Sequence, residues 1–274
     1  ITNIDLETEY KYLIVLNNEL ENTDKDTMLE LAKESIIREK LKKNEILNYY
    51  ELNGKQDYLD DVVKDYYERL NIKNLNDFQN YLSEYGLKLE NVVKKIEIEL
   101  MWNKLIGYKY SSQININEKL LKEQIENSSK NDKIITEYEL SEILFQANSD
   151  SELSNKINLI QQDINKQGFK NSANIHSLSD SSKFGGNIGW FNEKQLSKKI
   201  NLIIEKLDVG EVSKPIQIAN NFLILKIENK KQKKNKLNKK KLLKEAILFE
   251  QNKQYSQFSI IHFNKVKINS IISE

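Results

Sequence analysis

The chain has 274 residues, enough for one large domain or two ordinary ones. Its 42 Lys and Arg stand against 41 Asp and Glu, and the resulting formal charge of +1 excludes a global field for drawing in nucleic acid or an anionic membrane. Without cysteine there are no disulfides, zinc-thiolate sites or thiol nucleophiles, and no run approaches the ~18 consecutive apolar residues of a spanning helix.

Hydrophobic residues make up 39% and charged residues 30%, too rich in Leu, Ile, Tyr and Phe for wholesale disorder. The first residue is Ile1 rather than Met, which leads to the expectation that a leader and some mature residues were removed upstream. Thr2 or Asn3 caps a predicted helix over Asn3 to Asn17, with Leu6, Tyr10, Leu13, Ile14 and Leu16 at helical spacing. A second, longer helix carries Leu29, Ala32, Ile36, Ile37, Leu41 and Leu47 and is expected to stop at Asn53-Gly54. Tyr58 to Leu70, Leu75 to Tyr85 and Leu89 to Ile106 read as three more helices, the last ending on Gly107, and Asn117 caps a short one over Glu118 to Glu126. A polar link from Asn127 to Asp132 follows.

The texture changes at Ile134. Glu139 to Phe145 is a strand candidate, Glu152 to Gln167 a helix stopped by Gly168-Phe169, and a glycine-rich stretch from Gly185 to Phe191 precedes a helix around Lys194 to Leu207. The turn Gly210-Glu211 leads to a strand over Phe222 to Ile227. Strands and helices in so short a span describe a compact α+β module. Beyond it a lysine-rich tract, Lys230 to Lys241, runs into a helix over Leu242 to Phe258 and a β-prone tail over Ile260 to Ile272. That last segment is too short to bury a core alone, so it is expected to pack on the N-terminal helices. The predicted fold class is therefore α+β, with mainly helical residues 1–132, an inserted module over 133–231, and a C-terminal helix and strand over 232–274.

Gly185-Gly186-Asn187-Ile188-Gly189-Trp190-Phe191, followed by Leu207-Asp208-Val209-Gly210-Glu211-Val212-Ser213-Lys214-Pro215, resembles the parvulin (PpiC, rotamase) family of peptidyl-prolyl isomerases. The double glycine permits backbone conformations and close strand approach closed to other residues. Ile1 to Asp5, the long helix over Ile36 to Leu41, the Tyr85-Gly86-Leu87 junction and the C-terminal segment are similar in order to SurA-like chaperones. The resemblance implies a periplasmic factor that holds unfolded outer-membrane protein precursors, its N- and C-terminal segments forming one chaperone core and the single parvulin module an excursion. No cofactor is expected, and the charge balance and the lack of a spanning apolar run lead to the expectation of no nucleic-acid partner and no stable membrane insertion.

A proline isomerase must bind the twisted amide better than either planar form, against a barrier of ~18–20 kcal/mol. Parvulins resemble one another in using two facing histidines, a polar or acidic residue near the carbonyl, and an apolar cup. By that resemblance Glu142 stands at the first histidine position, Leu223 at the second, and Ser181 where active members have Cys or Asp; Leu196 and Ile200 stand in the cup. No catalytic residue is expected at these positions, although an apolar cup alone leaves room for weak isomerisation, since straining an amide needs no proton transfer. His176 and His262 align with neither catalytic position.

Trp190 and Phe191, with Leu196, Ile200 and Phe222, are the candidate peptide-binding residues, because aromatics dominate recognition hot spots. The competing expectation is that Trp190 anchors the module's own core. Tyr49, Tyr50, Tyr58, Tyr66, Tyr67, Tyr81 and Tyr85 serve either clients or amphipathic packing. The lysine run lacks interleaved aromatics and Arg, so a solvated linker and helix face is the expected role, with an adaptor for nucleic acid or anionic lipid as the alternative. Asp60-Asp61 has no metal-binding spacing, and no metal site is expected.

Overall fold

The computed structural model describes residues 1–55, 57–128, 134–218, 221–234 and 239–270. In chain order the helices and strands are α1 (Asn3–Leu16), α2 (Lys25–Leu47), α3 (Leu59–Arg69), α4 (Leu75–Glu84), α5 (Leu89–Tyr110), α6 (Glu118–Ser128), β1 (Ile134–Phe145), α7 (Asp150–His176), β2 (Asn187–Asn192), α8 (Lys198–Ile204), β3 (Ile216–Ile218), β4 (Asn221–Lys234) and α9 (Lys239–Asn269). The chain divides into two compact units, Ile1–Ser112 with Gln257–Glu274, and Gln113–Ser256. No helix among the described residues is long and apolar enough to cross a membrane.

The first unit is helical. Thr2 caps α1 through a reciprocal capping box with Asp5. The stripe read from the sequence holds at Leu13, Ile14 and Leu16, but Tyr12 and Val15 are buried too, so the last turns of α1 are enclosed on all sides. Leu13, Ile14, Leu20, Met28 and Ala32 form one core cluster of this unit. Charges that are buried or half-buried link α1, α2 and α5. Lys95 on α5 bonds Glu9 at 2.6 Å and also Glu39, while Ser35 donates to the other Glu9 oxygen at 2.7 Å. Burial works to lower the Lys95 ammonium, and the two carboxylates outweigh it and hold it above the ordinary lysine value.

Of the C-terminal segment read as 232–274, only Gln257–Glu274 falls in this unit, and α9 up to Ser256 falls in the second. Trp102, fully buried on α5, donates its indole N–H to Ser259 Oγ at 2.8 Å and packs edge-on against Phe263. His262 is buried between α5 and α2, with Nδ1 3.0 Å from Tyr110 Oη and Nε2 3.1 Å from Glu45 Oε1. Burial holds this imidazole below its ordinary value, with Lys109 and Lys265 adding to the shift and Glu45 opposing it.

Four local expectations are corrected here. The tail read as β-prone is helical through Asn269, because Phe258, His262 and Phe263 recur at helical spacing and pack on α5, outweighing the intrinsic β preference of Ile260, Ile261 and Val266; Ile271 and Ile272 lie outside the described residues. Helix α5 passes through Gly107 to Tyr110, whose ring stacks on Phe258 at 4.7 Å. Helix α2 stops at Leu47, before Asn53-Gly54, and Gly54 instead donates its N–H to the buried Glu97 at 2.8 Å. Lys230 to Lys234, read as linker, is the outer end of β4; Lys236 and its neighbours over 235–238, like 129–132 of the polar link, lie outside the described residues.

The second unit holds an antiparallel sheet of order β2-β1-β4-β3. Strands β1 and β4 are longer than their sequence patterns because they pair along their whole length, from Ile134 opposite Lys234 to Phe145 opposite Phe222. Each backbone thereby satisfies the other where side-chain patterning is weak. Helix α7 kinks at Gly168, where φ is +87°, so the expected stop becomes a bend followed by two more turns to His176. Tyr138, Leu140, Leu196, Ile200, Ile204, Ile216, Leu223, Leu225 and Ile227 fill one face of the sheet, and Ile143, Phe145, Ile160, Phe169, Ala173 and Ile224 the other.

Candidate functional site

The double glycine builds the site. A 3-10 turn over Asp180–Phe184 ends on Gly185 in the left-handed region, and Gly186 follows at φ +81°. Its carbonyl accepts from Glu142 N at 2.8 Å, so close that a Cβ on Gly186 would lie 2.4 Å from Glu142 O and 2.9 Å from Ala173 Cβ. The preceding segment is laced to the end of β1: Leu178 N donates to Leu144 O at 2.7 Å, and Leu144 N to Ser177 Oγ at 3.0 Å.

These bonds bring two separately inferred positions together. Ser181 Oγ donates to Glu142 Oε1 at 3.0 Å, and Ser179 Oγ donates to the same oxygen at 2.6 Å. Ser179 was not singled out from the sequence; its signal is the Ser-Asp-Ser spacing, in which the first serine also caps the 3-10 turn. Burial pushes the half-buried Glu142 carboxyl above the ordinary glutamate value; the two hydroxyls oppose the shift and Asp180 adds to it.

Alternation along β1 sets Glu142 on the face that carries Tyr138, Leu140 and Leu144. Directly across lies Leu225, and the next pair on that face is Leu144 with Leu223. The two positions that the resemblance gave to histidines thus sit on adjacent strands of one face, one as a carboxyl and the other as an alkyl group. Leu223, Leu196 and Ile200 are 5%, 9% and 8% exposed and belong to a single core cluster, so the cup residues pack chiefly on one another.

The other candidate residues separate. Phe191 is half-buried against the same core and meets Phe249 of α9 edge-on at 5.4 Å. Nothing in the sequence signalled Phe249. Phe222 lies on the opposite face, stacked on Phe145 at 5.7 Å. Trp190, expected either at a binding surface or in the core, is 39% exposed with Lys231 Nζ 3.6 Å above its ring.

The titration of Glu142 has a definite sign. A carboxyl whose folded pKa exceeds its unfolded value stabilises the fold fully below that unfolded value, ordinarily 4.5, and the contribution is lost as pH rises through the folded value. Glu142→Gln keeps an acceptor for both hydroxyls and removes the charge. In urea titrations followed by Trp190 emission in a Trp102→Phe background, the variant should gain on the parent as pH rises from 4.5 toward neutrality. Parallel stability curves would show that burial of Glu142 carries no such cost.

Residues 138–229 match the family model of the PPIC-type PPIASE domain, or rotamase. The chain is 27% identical over 165 residues to a Chaperone SurA of Pseudomonas putida, a match taking in 57% of this chain and 38% of that one. It is 27% identical over 218 residues to Foldase protein PrsA 3 of Bacillus cereus, covering 77% of this chain and 68% of that one. A solved peptidylprolyl isomerase (PrsA) from Bacillus anthracis aligns at 22% identity with a TM-score of 0.36, over 87% of this chain and 98% of the other. The matched stretch thus amounts to well under half the length of the Pseudomonas putida chaperone.

Proposed function

We propose that this protein, whose residues 138–229 match the PPIC-type domain model and whose chain is similar to SurA and PrsA proteins, is a chaperone for unfolded polypeptide whose parvulin-type module binds clients with little or no isomerase turnover. The observation that carries the reading is the rebuilt polar centre, in which Glu142 is bonded to Ser179 and Ser181 and Leu223 is buried core. A centre so composed offers neither of the paired imidazoles that the resemblance implies for catalysis. Outer-membrane protein precursors are the proposed clients and the periplasm the proposed compartment, both drawn from the SurA likeness. Trp190 is the open member of the candidate peptide-binding residues and the proposed aromatic contact.

The test pairs two assays on the full chain: suppression of aggregation of an unfolded outer-membrane protein, and isomerisation of a short X–Pro peptide. Protection without isomerisation is the expected result. Robust isomerisation would overturn the reading of the module as a degenerate enzyme, and failure to protect would overturn the chaperone reading.

A further inference from the structure

In the second unit Glu137 lies near Lys231 and Lys233, and Glu228 bonds Lys226 at 2.8 Å. Glu142 differs. Both of its serine donors go to Oε1, no hydrogen bond to Oε2 is made among the described residues, and the residue as a whole is half-buried. No ion pair reaches it among the described residues, and the charged neighbour that acts on it, Asp180, has the same sign. Partly buried Leu144 and Ile188 pack against the core of the same face. Desolvating a carboxylate without an opposite charge is unfavourable, and a charged donor returns about twice what a neutral one does.

We propose that this face selects its client segments: Glu142 Oε2 receives the ammonium or guanidinium of a client lysine or arginine, and the adjacent apolar client residue lies against Leu144 and Ile188. The inference depends on the module being a client-binding surface and names the class of segment bound there, an apolar residue beside a basic one. A backbone N–H would satisfy the same oxygen without bringing charge, and an acidic segment would meet Glu142 and Asp180 with like sign.

The test is fluorescence anisotropy of the full chain with three short unfolded peptides that differ at one position beside a leucine, carrying Lys, Gln or Glu. The Lys peptide should bind ~10-fold more tightly than the Gln peptide at low salt, as expected for one partly desolvated charge-assisted contact. The advantage should shrink as salt is raised, and in Glu142→Gln the Lys peptide should fall to the level of the Gln peptide. Equal binding of Lys and Gln peptides by the parent, or an advantage that survives in Glu142→Gln, overturns the selectivity while leaving client binding intact. Failure of all three peptides to bind overturns both readings.

Discussion

Gly186→Ala is expected to destabilise the α+β unit clearly more than the same change at Gly189. The residue sits at φ +81°, a region that costs an L-amino acid about 1–2 kcal/mol. Its new Cβ would also meet Glu142 O at 2.4 Å, a backbone atom fixed in the ladder between β1 and β4, and Ala173 Cβ at 2.9 Å. Forcing a methyl into packed surroundings adds about 1–3 kcal/mol. The total of about 3 kcal/mol is a large fraction of the stability of a domain of this size. Gly189→Ala supplies the control: φ is +82° there, yet nothing lies within 4 Å of the added Cβ, so only the conformational part, about 1–2 kcal/mol, should appear. Urea unfolding read from Trp190 in a Trp102→Phe background measures both. If the two alanines cost the same, the close approach of Gly186 to β1 is not what makes it glycine.

Trp102→Ala is expected to cost about 3–5 kcal/mol in the helical unit, the range for truncating a fully buried aromatic. The indole is 0% exposed, lies near His262 and Phe263, and carries Lys42 Nζ 5.5 Å from its ring. Its N–H is the donor to Ser259, so truncation removes a bond that ties the C-terminal segment to α5 as well as leaving a cavity. Trp190→Ala removes an equally large side chain, but one that is 39% exposed and held by a cation–π contact worth about 0.5–1 kcal/mol, so its cost should stay near 1 kcal/mol. Far-UV circular dichroism during urea unfolding reports the helical transition. A Trp102→Ala cost no greater than that of Trp190→Ala would remove the tryptophan from the centre of that unit.

The site was legible where a motif fixed the backbone and obscure where only contacts decide. Gly185-Gly186 and the turn through Gly210 to Pro215 carried the resemblance to the parvulin family, and it was that resemblance that pointed to Glu142, Ser181 and Leu223. That Glu142 and Ser181 share a hydrogen bond is a matter of distance across 39 residues of chain, and the donor Ser179 came with it. The face each aromatic takes was not legible either. Trp190 and Phe191 are neighbours in sequence, yet strand alternation turns one toward Lys231 and the other toward Phe249.

Charge balance, the lack of cysteine, helical spacing in α1 to α5 and the glycine motif were determined by the sequence alone, because each depends on composition or on residues a few positions apart. Tertiary structure decided the rest. The tail from Ile260 is helical although its β-branched residues favour strand, since packing of His262 and Phe263 on α5 outweighs a preference of a few tenths of a kcal/mol per residue. Lys230 to Lys234 is a strand because β1 supplies partners for its backbone. Glu142 is a carboxyl kept above its ordinary pKa because folding buries it, against the opposing pull of two serine hydroxyls and with no ion-paired cation among the described residues, a fact about its surroundings that no local pattern contains.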